Sequence, residues 1–415
     1  MTATEAGNAV RPVVPLSRNR DYNVLWMSRL VSELGSELAL IGFPLLILAT
    51  TRSAVEIGLV ATTMAVALLI GSVPAGFLAD RYDRKTVMVV CEILRAVAMG
   101  SVAVALYFDA YSLPHILVVA AIDGLLVSVF GPAEDAALPS VVAPEQLSQA
   151  VARNTARPYI ANLAGPLLSG VLFTIDHMLP FALNAALLLV SCIALLTLRL
   201  PKGAAPVAED EDGDGAPVGL RWVWRHRPIR TTLVWVALVQ LVFSALVVIV
   251  LAVSGEDQVG PGEIGLMMAC FGAGGLIGAA IAARLHAVLP ASVIIIGFSW
   301  LAAVLILVMA FTPSGVLLGV VLGVVAMFMP VTVTTVMTYQ MSVTVDELRG
   351  RLSGMVGLFT GAAGALGPIA GGALAGTGDG TTGLMACAAT AAVIAVGATL
   401  SPTLRRFPAP GRQAS

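Results

Sequence analysis

The stretch GFLADRYDRKTVMV, Gly76 to Val89, lies between two apolar runs and decides the fold. Asp80, Arg81, Arg84 and Lys85 crowd into a turn too short to be a domain, and the chain on either side is apolar for the length of a membrane span. An α-helix rises 1.5 Å per residue, so about 20 apolar residues cross a hydrocarbon core about 30 Å thick. Charges at the junction of two such runs mark where a chain turns round in water. Cations at the turn hold it on the cytoplasmic side, since Lys and Arg near span ends resist translocation. That anchor leaves Asp80 unexplained, because a carboxylate at the membrane boundary wants a cation or a helix N-terminus beside it. Gly76, one turn earlier, lets another helix approach closely.

Working outward, the same pattern recurs along the chain. Hydrophobic residues make up 58% and charged residues 12% of 415, against roughly 25% charged in a soluble domain. A water-soluble fold cannot absorb that imbalance. Spans are expected at 23–49, 55–79, 86–108, 112–137, 147–174, 178–199, 230–253, 262–284, 290–312, 315–344, 350–376 and 380–401. The expected fold is an all-α membrane protein of twelve transmembrane helices. With the N-terminus inside, the cytoplasmic turns hold nearly all the cations, among them Arg153, Arg199, Arg284, Arg349 and Arg405, and the outside loops hold only Arg52. Both termini are therefore expected in the cytoplasm of a plasma or inner membrane. The first apolar stretch is too long and too interrupted by charge for a signal-peptide core, so it is expected to remain as a span.

Gly165 and Pro166 in GPLLSG recur 202 residues later as Gly367 and Pro368 in GPIAGG, and Gly76 recurs at the same offset as Gly278. A shared offset in two spans, with a polar segment midway, predicts two pseudo-symmetric six-helix bundles. The expected division is a tail at 1–22, a first bundle at 23–199, a linker at 200–229, a second bundle at 230–401 and a tail at 402–415. The linker's acidic run, Glu209 to Asp214, lacks the distal carboxylate of a calcium loop, since Leu220 and Arg221 stand there. It reads as a solvated tether.

The turn at Gly76–Lys85 resembles the signature of the major facilitator superfamily, G-x-L-A-D-R-x-G-R-K. Gly76, Leu78, Ala79, Asp80, Arg81, Arg84 and Lys85 match, and Asp83 replaces the usual glycine. The resemblance implies that this turn gates the halves on the cytoplasmic side, with Asp80 facing the start of span 11 near Gly350. ANLAGPLLSG, Ala161 to Gly170, is similar to the family's antiporter motif: Gly165, Pro166 and Gly170 match, while Ala161 and Ser169 replace glycines. Ordinary small-residue packing is the plainer reading of that stretch; the resemblance implies export. FGPAEDAALPSVVAPEQLSQAVARN, from Phe130, and DELRGRLSG, from Asp346, are similar to the branch of macrolide efflux proteins and the enterobactin exporter. The usual span-4 arginine of proton antiporters is missing; Asp123 and Ser128 occupy that stretch.

Function should show where charge is buried, since an ionised group at mid-membrane costs about 2.5–3.5 kcal/mol on insertion scales. Arg29, Glu33 and Glu37 follow at i, i+4 and i+8 and share one helical stripe. Arg29 and Glu33 could simply neutralise each other. Glu37 and Asp123 have no basic partner in their own spans, and spans 1 and 4 line the cavity in the resembled fold. Both are expected to bind protons or a cationic substrate, because desolvation favours the neutral form of a carboxyl group. Glu92, Arg95, Glu134, Asp135, Arg153 and Arg157 read as structural or gating ion pairs. The second half offers Gln240, Ser244, Thr332, Thr335, Tyr339 and Gln340 beside Met327 and Met329, so the cavity is expected to be acidic on one side and softly apolar on the other.

The expected function is proton-driven export of an amphiphilic small molecule, such as an antibiotic or siderophore-like metabolite, by a single chain whose halves rock in the bilayer. Uptake of a nutrient or movement of a lysolipid uses the same fold. A membrane-embedded enzyme or receptor is the remote alternative, and His115, His177, His226 and His286 are scattered rather than gathered into a site. No phosphate-cradling loop is present, no cofactor or metal set is expected, and a net charge of −2 without basic aromatic runs speaks against nucleic acid.

Overall fold

A computed structural model describes residues 15–200, 226–344, 346–376 and 380–405. The main helices are α1 (Arg20–Thr50), α2 (Ala54–Arg81), α3 (Arg84–Tyr107), α4 (Leu113–Val141), α5 (Leu147–Ile175), α6 (Leu179–Thr197), α7 (Arg227–Glu256), α8 (Pro261–Val288), α9 (Ala291–Met309), α10 (Val316–Val343), α11 (Asp346–Gly376) and α12 (Gly380–Leu400). Among the described residues these twelve are long and apolar enough to cross a bilayer. Most of the expected linker and both outer tails lie outside the described residues.

Several helices outrun their apolar cores at the end that bears the basic turns. Helix α1 begins at Arg20 rather than 23, because Asn19 accepts a hydrogen bond from the Tyr22 N–H and caps it. Asp83, the departure from the family signature, does the same for α3: its carboxylate accepts from the Thr86 N–H at 2.9 Å. Arg84 donates to the Ala136 carbonyl at 2.7 Å, and Lys85 Nζ donates to the Leu196 and Leu198 carbonyls at 2.7 and 2.9 Å. These last are spare carbonyls at the end of α6, where a cation is favoured. The basic turn is thus fastened to its own half. Asp83→Ala is expected to cost about 0.5–2 kcal/mol and Asp83→Gly only a few tenths, read as unfolding temperatures in detergent.

Two bundles pack by one plan. In the first, α1 meets α5 and α6, α2 meets α4, and α3 meets α4 and α6; in the second, α7 meets α11 and α12, α8 meets α10, and α9 meets α10 and α12. Between the bundles, α2 packs on α11 and α5 on α8. The pairing is carried by glycines: Gly58 faces Gly372, and Gly170 faces Gly265. Gly170 and Gly372 are 202 residues apart, as the sequence offset requires, but Gly58 and Gly265 are 207 apart. The register shifts because α3 has 24 residues and its counterpart α9 only 19. The structural counterpart of Gly278 is therefore Gly71, which packs on α4 as Gly278 packs on α10, whereas Gly76 meets none of the described residues. The Gly76–Gly278 match expected from sequence is corrected accordingly.

The core shows which way the molecule opens. Away from the basic turns, one continuous apolar cluster runs through both halves, including Leu46, Ile57 and Phe173 with Leu246, Ile249 and Ile264. At the basic end it splits, into one cluster around Leu25, Met88 and Phe130 and two small ones around Ile229 and Ile294. The halves meet from Gly58 and Gly372 as far as Leu69 and Gly361; beyond that, Gly76, Gly354 and Gly357 have no neighbour among the described residues within 4 Å of an added Cβ. Large apolar side chains such as Val97, Val104, Ile193 and Val393 are exposed on α3, α6 and α12, as lipid-facing surfaces require.

Candidate functional site

A cavity of about 390 Å³ lies between the halves, walled by α1, α2, α5, α7, α8 and α11. Its size falls in the usual range for small-molecule sites, about 300–1,000 Å³. The walls are mostly apolar: Leu40, Ile41, Met64 and Leu68 from the first half face Phe243, Val247, Met268 and Phe271 from the second. Phe243 and Phe271 meet with ring centroids 5.3 Å apart. Polar groups are few, namely Glu37, Asn162, Gln240 and Ser244.

Among the described residues Glu37 is the one ionisable group in this wall, close to the midpoint of α1. Its carboxylate has no ion-pair partner among the described residues. Gly165 on α5 packs directly against its Cβ, so that a side chain at 165 would displace it. The second half repeats the arrangement with a different outcome: Gly367 on α11 packs against the Cβ of Ser244 on α7, at 2.6 Å from an added methyl carbon. Ser244 is therefore the pseudo-symmetric counterpart of Glu37. Gln240 Nε2 donates to Ser244 Oγ at 3.3 Å. The cavity carries charge on one side only.

Behind α1 the first half holds two further sets of charges. Arg29, Glu33, Glu134 and Arg157 form a closed ring across α1, α4 and α5. Arg29 Nε lies 3.0 Å from Glu33 Oε1 and 3.3 Å from Glu134 Oε2, and Arg157 reaches the same two carboxylates at 3.1 and 2.7 Å. Two cations and two anions balance, and Arg29 also lies over the Phe130 ring. Nearer the middle of the bundle, Arg95 on α3 donates to Asp123 on α4 at 2.8 Å and to Ser32 and Ser36 on α1 at 2.9 and 2.7 Å.

These contacts separate the residues expected at one site. Glu37, Gln240, Pro166 and Pro368 line the cavity; Arg29 and Glu33 belong to the ring; Asp123 is fully buried against Arg95, and α4 contributes no wall residue. Asp123 thus sits away from the cavity, held by a partner on the neighbouring span. Tyr339, half-buried on α10, packs against the core outside the cavity wall. Thr332, Thr335 and Gln340 are also turned inward within the second half, where Gln340 donates to Thr232 and Thr335 bonds His286. The side of the cavity assigned to α10 comes from α7 and α8 instead. Gly170 belongs to the contact between halves, and Arg81, exposed, lies over Phe77. The side chain of Asp80 and the residues around Gly350 lie outside the described side chains. Asn162 and the Arg95–Asp123 pair were missed: each needs a contact between spans, although one spare cation in span 3 and one spare anion in span 4 were a usable signal. Among the described residues no group of three His, Cys, Asp or Glu side chains is placed to hold a metal ion.

The sequence model of the transmembrane secretion effector family matches residues 10–414. The multidrug efflux pump Tap of Mycolicibacterium fortuitum is 28% identical over 374 residues, covering 85% of this chain and 88% of that protein. The enterobactin exporter EntS of Salmonella choleraesuis is 27% identical over 339 residues, covering 80% of each. Among solved structures, the nucleoside transporter NupG superposes with a TM-score of 0.70 at 15% identity, covering 93% of this chain and 99% of that one; that likeness concerns the fold alone. A match along nearly the whole length, on two six-helix halves around a central cavity, makes the chain a multi-pass membrane transporter rather than an enzyme: it belongs to the transmembrane secretion effector family of the major facilitator superfamily.

Proposed function

We propose that the protein expels an amphiphilic small molecule carrying a positive charge from the cytoplasm, in exchange for protons, by rocking its halves about the central cavity. The observation that carries this reading is Glu37, a carboxylate without an ion-pair partner among the described residues, in a mostly apolar wall whose other polar groups, Asn162, Gln240 and Ser244, are uncharged. A cation bound there replaces a proton, and a proton entering from the far side displaces the cation; each ligand biases the halves only through its different affinity for the two states. Aromatic and methionine side chains around it suit a bulky apolar body of variable shape. The two relatives, a multidrug efflux pump and an enterobactin exporter, support the outward direction. We place the basic turns and both termini in the cytoplasm of an inner membrane, following the distribution of Lys and Arg, so that the cavity opens inward. One chain contains the whole pathway and is proposed to work as a monomer.

Everted membrane vesicles test this. With an imposed proton gradient, acid inside, wild-type vesicles are expected to accumulate ethidium, a lipophilic cation. Glu37→Gln is expected to lower accumulation tenfold or more, whereas Ser244→Ala, on the uncharged side, should change it less than threefold. Accumulation that ignores the proton gradient, or survives Glu37→Gln unchanged, contradicts the proposal.

A further inference from the structure

Outside the cavity, the first half contains a buried set of charges that does not balance. Glu92 and Arg95 lie one turn apart on α3, and with Asp123 on α4 all three are fully buried. The guanidinium is committed to others: Nε to Asp123, Nη1 to Ser32 and Nη2 to Ser36. Glu92 Oε1 lies 3.9 Å from Arg95 Nη1, beyond hydrogen-bond reach. Among the described residues neither oxygen of Glu92 meets hydrogen-bond geometry, the Ser32 hydroxyl being a neighbouring donor, and Asp123 Oδ2 has no partner.

Among the described residues the groups facing Glu92 offer no second cation that is not already paired. They are Cys91 and Arg95 on its own helix, Asp123 on α4, Cys192 on α6, and Ser32 with the more distant Arg29 on α1. Arg29 is already engaged by Glu33 and Glu134. Two carboxylates therefore share one guanidinium in a space without water-facing surface. A net buried charge is far more expensive than a neutral pair with a protonated neighbour.

Resting on the proton-exchange reading above, we propose that Glu92 is a proton-binding site separate from the substrate cavity, and that it carries its proton in this basic-end-open conformation. The proton binds one Glu92 oxygen and leaves from it; no other bond changes. Asp123 keeps Arg95, and neutral Glu92 leaves the guanidinium free to hold Ser32 and Ser36. Those serines precede Glu33 and Glu37 directly in α1. Loss of the proton gives Arg95 a second anion to satisfy and loosens its hold on α1, the helix that presents Glu37 to the cavity. Proton loading at Glu92 and cation binding at Glu37 are thereby coupled through one helix, in addition to the exchange of proton and cation on Glu37 itself.

Infrared spectroscopy with ¹³C-labelled glutamate on purified Glu37→Gln protein reads protonated glutamates without the cavity carboxyl, and the second substitution assigns the band. A protonated carboxyl band at neutral pH, sensitive to the label and to D₂O, is expected, and it should vanish in Glu37→Gln/Glu92→Gln. In liposomes, Glu92→Gln should bind ethidium within twofold of wild type and exchange it, yet lose at least tenfold of the uptake driven by a pH gradient. An absent band in Glu37→Gln, or a band that persists in the double variant, overturns the proposal, and the first measurement requires no Glu92 variant to fold. Fully gradient-driven uptake by Glu92→Gln overturns it as well. Wild-type uptake that is indifferent to the gradient overturns the exchange reading instead, and the infrared band still decides whether Glu92 holds a proton.

Discussion

Gly170→Leu is expected to abolish transport while the protein still folds, with the halves unable to close at the end away from the basic turns. At that contact α5 and α8 cross backbone to backbone: a methyl on Gly170 would lie 2.6 Å from the Pro261 carbonyl oxygen and 2.8 Å from Gly265 Cα. No flexible side chain is there to yield, and close-packed helices repack rather than compress. The same crossing is built at the other edge, where a methyl on Gly58 would lie 2.5 Å from the Pro368 oxygen and 3.1 Å from Gly372 Cα. Each half is intact without these contacts, so the damage falls on one of the two states. Spin labels at Asp176 and Gln258, on the loops that follow α5 and α7, should report a longer distance in Gly170→Leu and a distribution that substrate no longer shifts. Gly297→Leu, exposed with open space beside it, is the control and should transport normally. Normal transport by Gly170→Leu would show that the crossing does not gate the cycle.

Arg95→Leu is expected to lower stability by about 3–5 kcal/mol, the usual result of removing one partner from a buried ion pair. The loss comes less from the broken contact than from Asp123, left without a counter-charge in a place with no water. Arg95 also ties α1 to α3 through Ser32 and Ser36, so the variant should fold poorly rather than merely transport slowly. Arg95→Leu combined with Asp123→Leu removes both charges and is expected to recover most of the stability, as buried pairs exchanged for apolar residues commonly do. Thermal unfolding in one detergent, with both single variants and the double, measures the coupling. A double variant no more stable than Arg95→Leu would mean that the arginine serves chiefly as packing.

Much of this molecule follows from the order of its residues. Twelve spans, the basic turn at Arg81–Lys85 and the pairing of Gly165–Pro166 with Gly367–Pro368 are statements about hydrophobicity and local chemistry, and lipid enforces them because every backbone polar group must be satisfied within its own helix. The Arg29–Glu33 pair was legible for the same reason, being one helical turn in length. What the helices do to one another was not. Glu37 and Asp123 read alike as lone carboxylates in mid-span, yet the fold turns one toward the cavity and seals the other against Arg95. The five-residue difference between α3 and α9 moves the repeat from 202 to 207 residues and so hides Ser244 as the partner of Glu37. A sequence in a bilayer determines which segments are helical and roughly how deep each residue lies, because that depends on the solvent. Only tertiary structure decides which face of each helix meets lipid, neighbour or cavity, because between helices of equal hydrophobicity that choice depends on shape and on the partners of a few buried charges.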